Sequence, residues 1–152
     1  MNEGIKVVAN NRRARHEYSL EETFEAGLSL LGSEIKSIRQ GQVNLRQAFV
    51  QVKDGEAWVL EMYIAPYSHG GYANHEPDRP RRLLLHRDEI RRLAAQVAQR
   101  GYTIVPTRLY LKRGRAKLEI ALAKGRKTYD KRHAIAEREA QRDIERGLRE
   151  KW

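Results

Sequence analysis

The 152-residue chain has no cysteine, which excludes disulfides and any thiolate zinc site. A reducing cytoplasm is the simplest inference from that absence, although it would also permit secretion. Long apolar runs are also missing: the longest are a few residues, such as Leu83 to Leu85, far short of a membrane span. The opening "MNEGIKVVANNRRARH" has neither the apolar core nor the cleavage signature of a signal peptide. No HExxH spacing, nucleophile elbow, phosphate loop or dinucleotide fingerprint occurs. His16, His69, His75, His86 and His133 are scattered, with only His69 and His75 close together. They read as loop histidines at a polar surface rather than metal ligands. These absences leave no catalytic residue, no metal site and no cofactor to assign, and there is no internal repeat.

What is present is positive charge. Lys and Arg number 30 against 20 Asp and Glu, a net +10 with a pI near 10.1. Residues 124–152 carry ten basic and six acidic residues, so +4 lies there and +6 on the first 123 residues. Such a chain points to nucleic acid, an anionic membrane or an acidic protein as partner. The lack of an apolar segment favours nucleic acid. Arg outnumbers Lys by 21 to 9; the planar guanidinium suits phosphate and base recognition, although genome composition produces the same bias.

The length fits one domain with an extension. Residues 1–10 show no clear period and read as a flexible N-terminus. A strand is expected from Tyr18 to Leu31, then one or two helical turns between Gly32 and Gly41, where Ile35 and Ile38 are three apart. "AFVQVKDGEAWVLEMYIAPY" predicts a hairpin turning at Asp54-Gly55. "HGGYANHEPDRPRR" reads as a long exposed loop. From Arg87 to Arg100 a helix is expected, with Ile90, Leu93, Ala94 and Val97 on one face and Gly101 after its end. "YTIVPTRLYLK" and "AKLEIALA" predict two strands joined by "RGR", with Pro106 marking an edge or bend. A mainly β fold with helices follows. A small, partly closed barrel suits it, because closure removes exposed edges; an open sheet packed by one helix is the alternative.

"NNRRARHEY" combines Asn10, Asn11, Arg12, Arg13, Arg15, His16 and Tyr18 just before the first expected strand. Arg offers forked donors to phosphate, Asn and His bond base edges, and Tyr or His stacks on unpaired bases. A solvated edge would use similar charges, but the mixture of cation, amide and ring favours RNA.

The segments "NRRARHEY", "FEAGLSLLGSEIKSIRQG", "IAPY", "RLLLHRDEI", "KGRKTYDKR" and "ERE" occur in the order and spacing of the SsrA-binding protein (SmpB) family. The resemblance covers the chain from about Asn11 into its tail. It implies an oligonucleotide-binding-like, Greek-key β-barrel at 11–124 with associated helices, and a bacterial cytoplasmic protein that is monomeric when free. It also implies the partners: the tRNA-like domain of transfer-messenger RNA, and the decoding centre and mRNA channel of the small ribosomal subunit. In that family the protein stands in for a missing anticodon arm and is not a catalyst; it has no membrane partner. By motif, Asn11, His16, Glu25, Leu84 and Lys117 match family RNA-binding positions, and Lys36 and Lys124 join them as basic candidates. Glu25 cannot attract phosphate, so its expected role is to accept hydrogen bonds from a base or sugar, or to aim a cation. Leu84 reads equally as core and as contact. Lys117 is a phosphate counter-charge.

On a helix, Lys131, Arg138, Arg142, Arg146 and Arg149 would share roughly 80° of arc. The apolar stripe of Ala140, Ile144, Leu148 and Trp152 is too narrow to bury much. Residues 125–152 are therefore expected to be disordered alone and helical on the ribosome. By the resemblance this tail reads the empty messenger channel. Its candidates are a hinge-like Gly125, Arg126, Lys127, the "DKR" of Asp130, Lys131 and Arg132, and the basic face of Arg138, Arg142 and Arg146. Tyr129 stands where some members carry histidine, which retains stacking and loses a titratable ring. Three rivals remain open at this point: an rRNA-binding ribosomal or assembly protein, a ribonuclease using His16 with Glu17 or Glu25, and a protein-docking role for the tail.

Overall fold

Two short turns organise the sheet. At Asp54-Gly55 both residues have positive φ, 54° and 76°, and at Arg113-Gly114 the values are 52° and 80°. Consecutive positive values match the twist of antiparallel strands and close tight hairpins. A computed structural model describes residues 4–68, 74–99 and 101–125. Its strands are β1 (Ile5–Asn10), β2 (Tyr18–Leu28), β3 (Val43–Asn44), β4 (Phe49–Lys53), β5 (Glu56–Leu60), β6 (Tyr63–Ile64), β7 (Arg81–Leu84), β8 (Tyr102–Lys112) and β9 (Arg115–Gly125). Its helices are α1 (Arg12–Glu17), α2 (Gly32–Arg39) and α3 (Arg87–Ala98).

Seven strands form one sheet in the order β1-β8-β9-β2-β7-β5-β4, and β3 pairs with β6 separately. Every pairing is antiparallel. The fold is thus mainly β with helices, as expected. The sheet bends until β4 packs near β8, yet among the described residues no hydrogen-bonded ladder joins these strands. The Asn11 side chain spans that seam. Its Nδ2 donates to the carbonyls of Leu45 at 3.3 Å and Pro106 at 2.8 Å, while its Oδ1 caps α1 by accepting from Ala14 N–H.

The core lies on the concave side, where Ala26, Val59, Leu83, Leu109, Leu118 and Ile120 meet Ile38 of α2 and Leu93 of α3. Both longer helices begin with a glutamate reaching back: Glu34 accepts from Leu31 N–H and Glu89 from His86 N–H. Of the apolar face expected on α3, Ile90 and Leu93 are buried, whereas Ala94 and Val97 are exposed. That helix therefore holds the sheet by one narrow contact line.

Four expectations need correction. Residues 5–10 are not a flexible end: they form β1 on the outer edge of β8, with a bulge between Val7 and Ala9 that interrupts the alternation a strand would show. β2 ends at Leu28 rather than Leu31, because Leu31 is already the N-cap of α2. The segment after Asn74 is not simply exposed. Arg81 opens β7 fully buried, its Nε 2.6 Å from Glu34 Oε2 and its Nη1 donating to the Met62 carbonyl. Arg79 completes the group at 2.6 Å from Glu34 Oε1. Burial pushes the Glu34 carboxyl up, but the bonds from Arg79, Leu31 N–H and Arg81 outweigh it and hold the group below its ordinary value. His75, read as a surface residue, is also buried, its ring bridging Ser33 Oγ at 2.8 Å and the Ile64 carbonyl at 2.9 Å. Pro106 marks a bend as expected: the β8–β9 register shifts between Pro106 and Arg108, just beyond the end of β1. A proline there withholds no donor from β1, and its carbonyl is taken by Asn11.

Candidate nucleic-acid interface

In antiparallel pairs, opposed residues project from the same face. Gly27 of β2 opposes Leu84 of β7 on one side and Lys117 of β9 on the other. Lys117 opposes Tyr110 of β8, and Tyr110 opposes Val7 of β1. A single row thus crosses five strands on the convex face. Leu84 is 48% exposed while Leu83 beside it is 1% exposed, so Leu84 belongs to the surface and not to the core. A Cβ at Gly27 would come within 3.2 Å of Leu84 Cβ; glycine there lets the leucine lie across the strand.

Glu25, two residues from Gly27, shares that face. It accepts a hydrogen bond from the Tyr110 hydroxyl and lies 3.5 Å from Lys112 Nζ. The Tyr110 bond, with the charges of Lys112 and Lys117, holds the Glu25 carboxyl below its usual range despite partial burial. Burial and the same carboxylate push the Tyr110 phenol well up. Arg108 sits 4.8 Å from the Tyr110 ring centre and donates to Glu119 at 3.3 Å. Glu119 also accepts from Thr107 Oγ1 and lies 3.9 Å from Arg15 of α1. The result is a continuous chain: Arg15, Glu119, Arg108, Tyr110, Glu25, Lys112. Two carboxylates hold the cations in place, the aiming role open to Glu25. Sequence reasoning missed Arg108, Tyr110, Lys112 and Glu119. Their signal was the alternation of "TRLYLK", which puts Arg108, Tyr110 and Lys112 on one face of a strand.

The other candidates fall elsewhere. On α1, Arg12, Arg13 and His16 are exposed, with Arg13 bonded to Glu17 at 3.1 Å. Asn11 is only 4% exposed, and both its amide groups are engaged within the fold; in the free protein it serves as a cap and a tether. Lys36 on α2 stands 5.4 Å from the Tyr67 ring, and Lys124 at the end of β9 stands 5.3 Å from Tyr102. Gly125 ends β9 opposite Tyr18. Arg126, Lys127, Tyr129, Asp130, Lys131, Arg132, Arg138, Arg142 and Arg146 lie outside the described residues, as do His69 and His133. Among the described residues, no three His, Asp or Glu side chains are grouped as a metal site, and no helix is long and apolar enough to cross a membrane.

Comparison with known proteins bears directly on this surface. The family model for the SmpB protein matches residues 8–150. The chain belongs to the SmpB family. The SmpB match takes in α1, the convex row from Leu84 to Tyr110 and its carboxylates, and continues past Gly125 into the tail. The SsrA-binding protein of Roseiflexus sp. (strain RS-1) is 64% identical over 147 residues, covering 96% of this chain and 93% of the relative. The SsrA-binding protein of Thermobifida fusca (strain YX) is 54% identical, covering 97% and 92% respectively. A solved structure described as "tmRNA-SmpB: a journey to the center of the bacterial ribosome" is 49% identical, with a TM-score of 0.68 over 81% of this chain and 87% of that one.

Proposed function

We propose that this protein binds the tRNA-like domain of transfer-messenger RNA and delivers it to stalled ribosomes for trans-translation, as an RNA-binding adaptor and not as an enzyme. The observation that carries the reading is the convex row of Lys117, Gly27 and Leu84 with Glu25 beside it. There an exposed apolar side chain, an acceptor and a cation share one surface, within a chain whose family and relatives are SsrA-binding. Leu84 packs against an unstacked base, Lys117 and Arg15 take phosphates, and Glu25 orients Lys112 and accepts from a base or sugar. Arg12, Arg13, His16, Lys36 and Lys124 extend the basic surface. Asn11 acts indirectly, by holding α1 where its arginines face outward.

In this reading residues 11–124 work as an oligonucleotide-binding-like barrel, with β4 turned onto β8. Residues 125–152 form the ribosome-reading tail, entering the mRNA channel beside the decoding centre from the hinge at Gly125. The protein works as a monomer in the bacterial cytoplasm. The experiment is a gel shift with the tRNA-like RNA, using ordinary tRNA as competitor, run beside peptide tagging on ribosomes stalled at a messenger's end. A chain ending at Lys124 should keep the gel shift and lose tagging. Loss of both together would refute the division of labour, and equal competition by tRNA would refute the choice of RNA.

A further inference from the structure

On the far side of α1 from Glu119, a groove of about 550 Å³ runs between the helix and the β3–β4 connection. Arg13, Tyr18, Arg46 and Phe49 line it, and it shares Arg13 and Arg46 with an adjoining hollow that reaches Arg12 and Asn44. Three features distinguish it from a solvated seam. Phe49 is 42% exposed at the open edge of β4, although its neighbours Ala48 and Val50 are both 6% exposed. Among the described residues, the guanidinium groups of Arg12 and Arg46 make no ion pair. Finally, the groove sets Arg13 and Arg46 against Glu17, already bonded to Arg13, and Glu61, and Arg12 in the adjoining hollow adds one further positive charge.

We infer that this groove is a second RNA site, which takes an unpaired nucleotide stacked on Phe49 with its flanking phosphates on Arg46 and Arg12. An exposed ring beside unpaired guanidinium groups is the chemistry that holds single-stranded nucleic acid without strict sequence preference. A protein partner would meet the same ring, but it would leave the arginines unneutralised unless it were acidic. Tyr18 lines the groove and Gly27 lies in the convex row, nine residues apart on β2. At a strand's rise the two sites are about 25–30 Å apart, enough for separate RNA segments to be held at once. The inference rests on the reading of this chain as an RNA-binding protein and adds a site to it.

The test uses the full chain with two probes: a fluorescein-labelled single-stranded oligouridine of about a dozen nucleotides, and the tRNA-like RNA. Phe49→Ala should weaken oligouridine binding about tenfold or more, and Phe49→Trp should retain it, with unchanged melting temperatures. Arg46→Ala should lower the salt slope by about one unit. Leu84→Ala should leave oligouridine binding intact. If the wild-type chain ignores oligouridine at low salt, or if Phe49→Ala and wild type bind it equally, the second site is wrong. That result would leave the tRNA-like reading standing provided Leu84→Ala still weakens the tRNA-like RNA. Should Phe49→Ala unfold the chain, Phe49→Leu at unchanged stability decides, because it keeps apolar bulk and loses the ring. Displacement of bound oligouridine by an acidic peptide but not by unlabelled RNA would assign the groove to a protein and overturn the inference.

Discussion

At the Gly27 end of β2, carboxylates stand among the cations: Glu25 beside Lys112, and Glu119 between Arg15 and Arg108. At the Tyr18 end, Arg12 and Arg46 have no such partner among the described residues, whereas Arg13 is bonded to Glu17. The same fold thus carries one surface whose charges are held and another whose charges are loose. Held charges lose net attraction for phosphate but keep one geometry, which favours choice of partner. Loose charges attract any phosphate chain and give up counterions freely, which favours strength that falls with salt. Each surface presents an exposed apolar side chain proposed to meet a base, Leu84 in the first, where Val7 at the far end of the row is exposed as well, and Phe49 in the second.

The largest expected effect removes what both surfaces stand on. Glu34→Gln leaves Arg81 buried without its counter-charge, a loss of about 3–5 kcal/mol and on the order of 10 °C in melting temperature. Both RNA activities should fall together. Because the Glu34 carboxyl is held below its ordinary value, its contribution is full above the unfolded glutamate pKa of about 4.3 and is lost as pH falls through the folded value. Wild-type stability should therefore drop in acid below about pH 4 more steeply than that of Glu34→Gln. Parallel acid curves would show that the pair is not what the fold depends on.

A smaller change should break one surface and spare the other. Asn11→Ala removes the cap of α1 and leaves the Leu45 and Pro106 carbonyls without their donor, costing about 2–3 kcal/mol. The groove borders the freed seam, so oligouridine binding should weaken while discrimination between tRNA-like RNA and tRNA survives. Hydrogen exchange should quicken first at the amide of Ala14. Uniform exchange across the sheet would mean that the seam is not a separate unit.

How much of this was legible without coordinates depends on the range of the interaction. The hairpin at Asp54-Gly55, α2 between its glycines, and the alternation of Ala116, Leu118, Ile120 and Leu122 are local, and each appears where its pattern places it. β1 is different: its pairing comes from β8, roughly a hundred residues away in the chain, and its bulge breaks the period. Arg81 and His75 sit in a stretch rich in Pro, Gly and charge, which is the composition of a loop. Their burial is set by Glu34, Ser33 and Ile64, which no window around them contains. Among the site residues, Glu25, Leu84 and Lys117 were drawn from motif resemblance, and the strand register brings them onto one face. Phe49 lies within the stretch expected to form the hairpin, but its exposure follows from β4 being a sheet edge, and that is topology.

The next prediction tests whether held charge gives choice. Glu25→Gln keeps an acceptor for Tyr110 and removes the negative charge, whereas Glu25→Ala removes both. If geometry matters most, Glu25→Gln should bind tRNA-like RNA at least as well as wild type, and Glu25→Ala should lose about tenfold in preference over tRNA, one good polar contact's worth. Oligouridine binding should change little in either variant. Equal loss in the two variants would assign the effect to charge and not to the Tyr110 bond.

The smallest expected effect is a coupling, and it distinguishes the two surfaces most directly. Lys112→Ala and Glu25→Ala, made singly and together, should be non-additive in stability by about 0.2–1 kcal/mol, the range for an exposed ion pair. In RNA binding, Lys112→Ala alone should cost more than one phosphate contact, because it leaves the Glu25 charge facing the backbone without its cation, held only by the Tyr110 hydroxyl; adding Glu25→Ala should recover part of that cost. Arg12→Ala with Arg46→Ala has no pair to break. Each should change stability by about half a kcal/mol or less, lower the salt slope by about one unit, and add without coupling when combined. Chemical denaturation and salt titration of RNA binding on the same six variants and wild type supply both cycles. If the arginine cycle couples as strongly as the Lys112–Glu25 cycle, the two surfaces do not differ in how their charge is held, and the contrast between choice and strength has no structural basis.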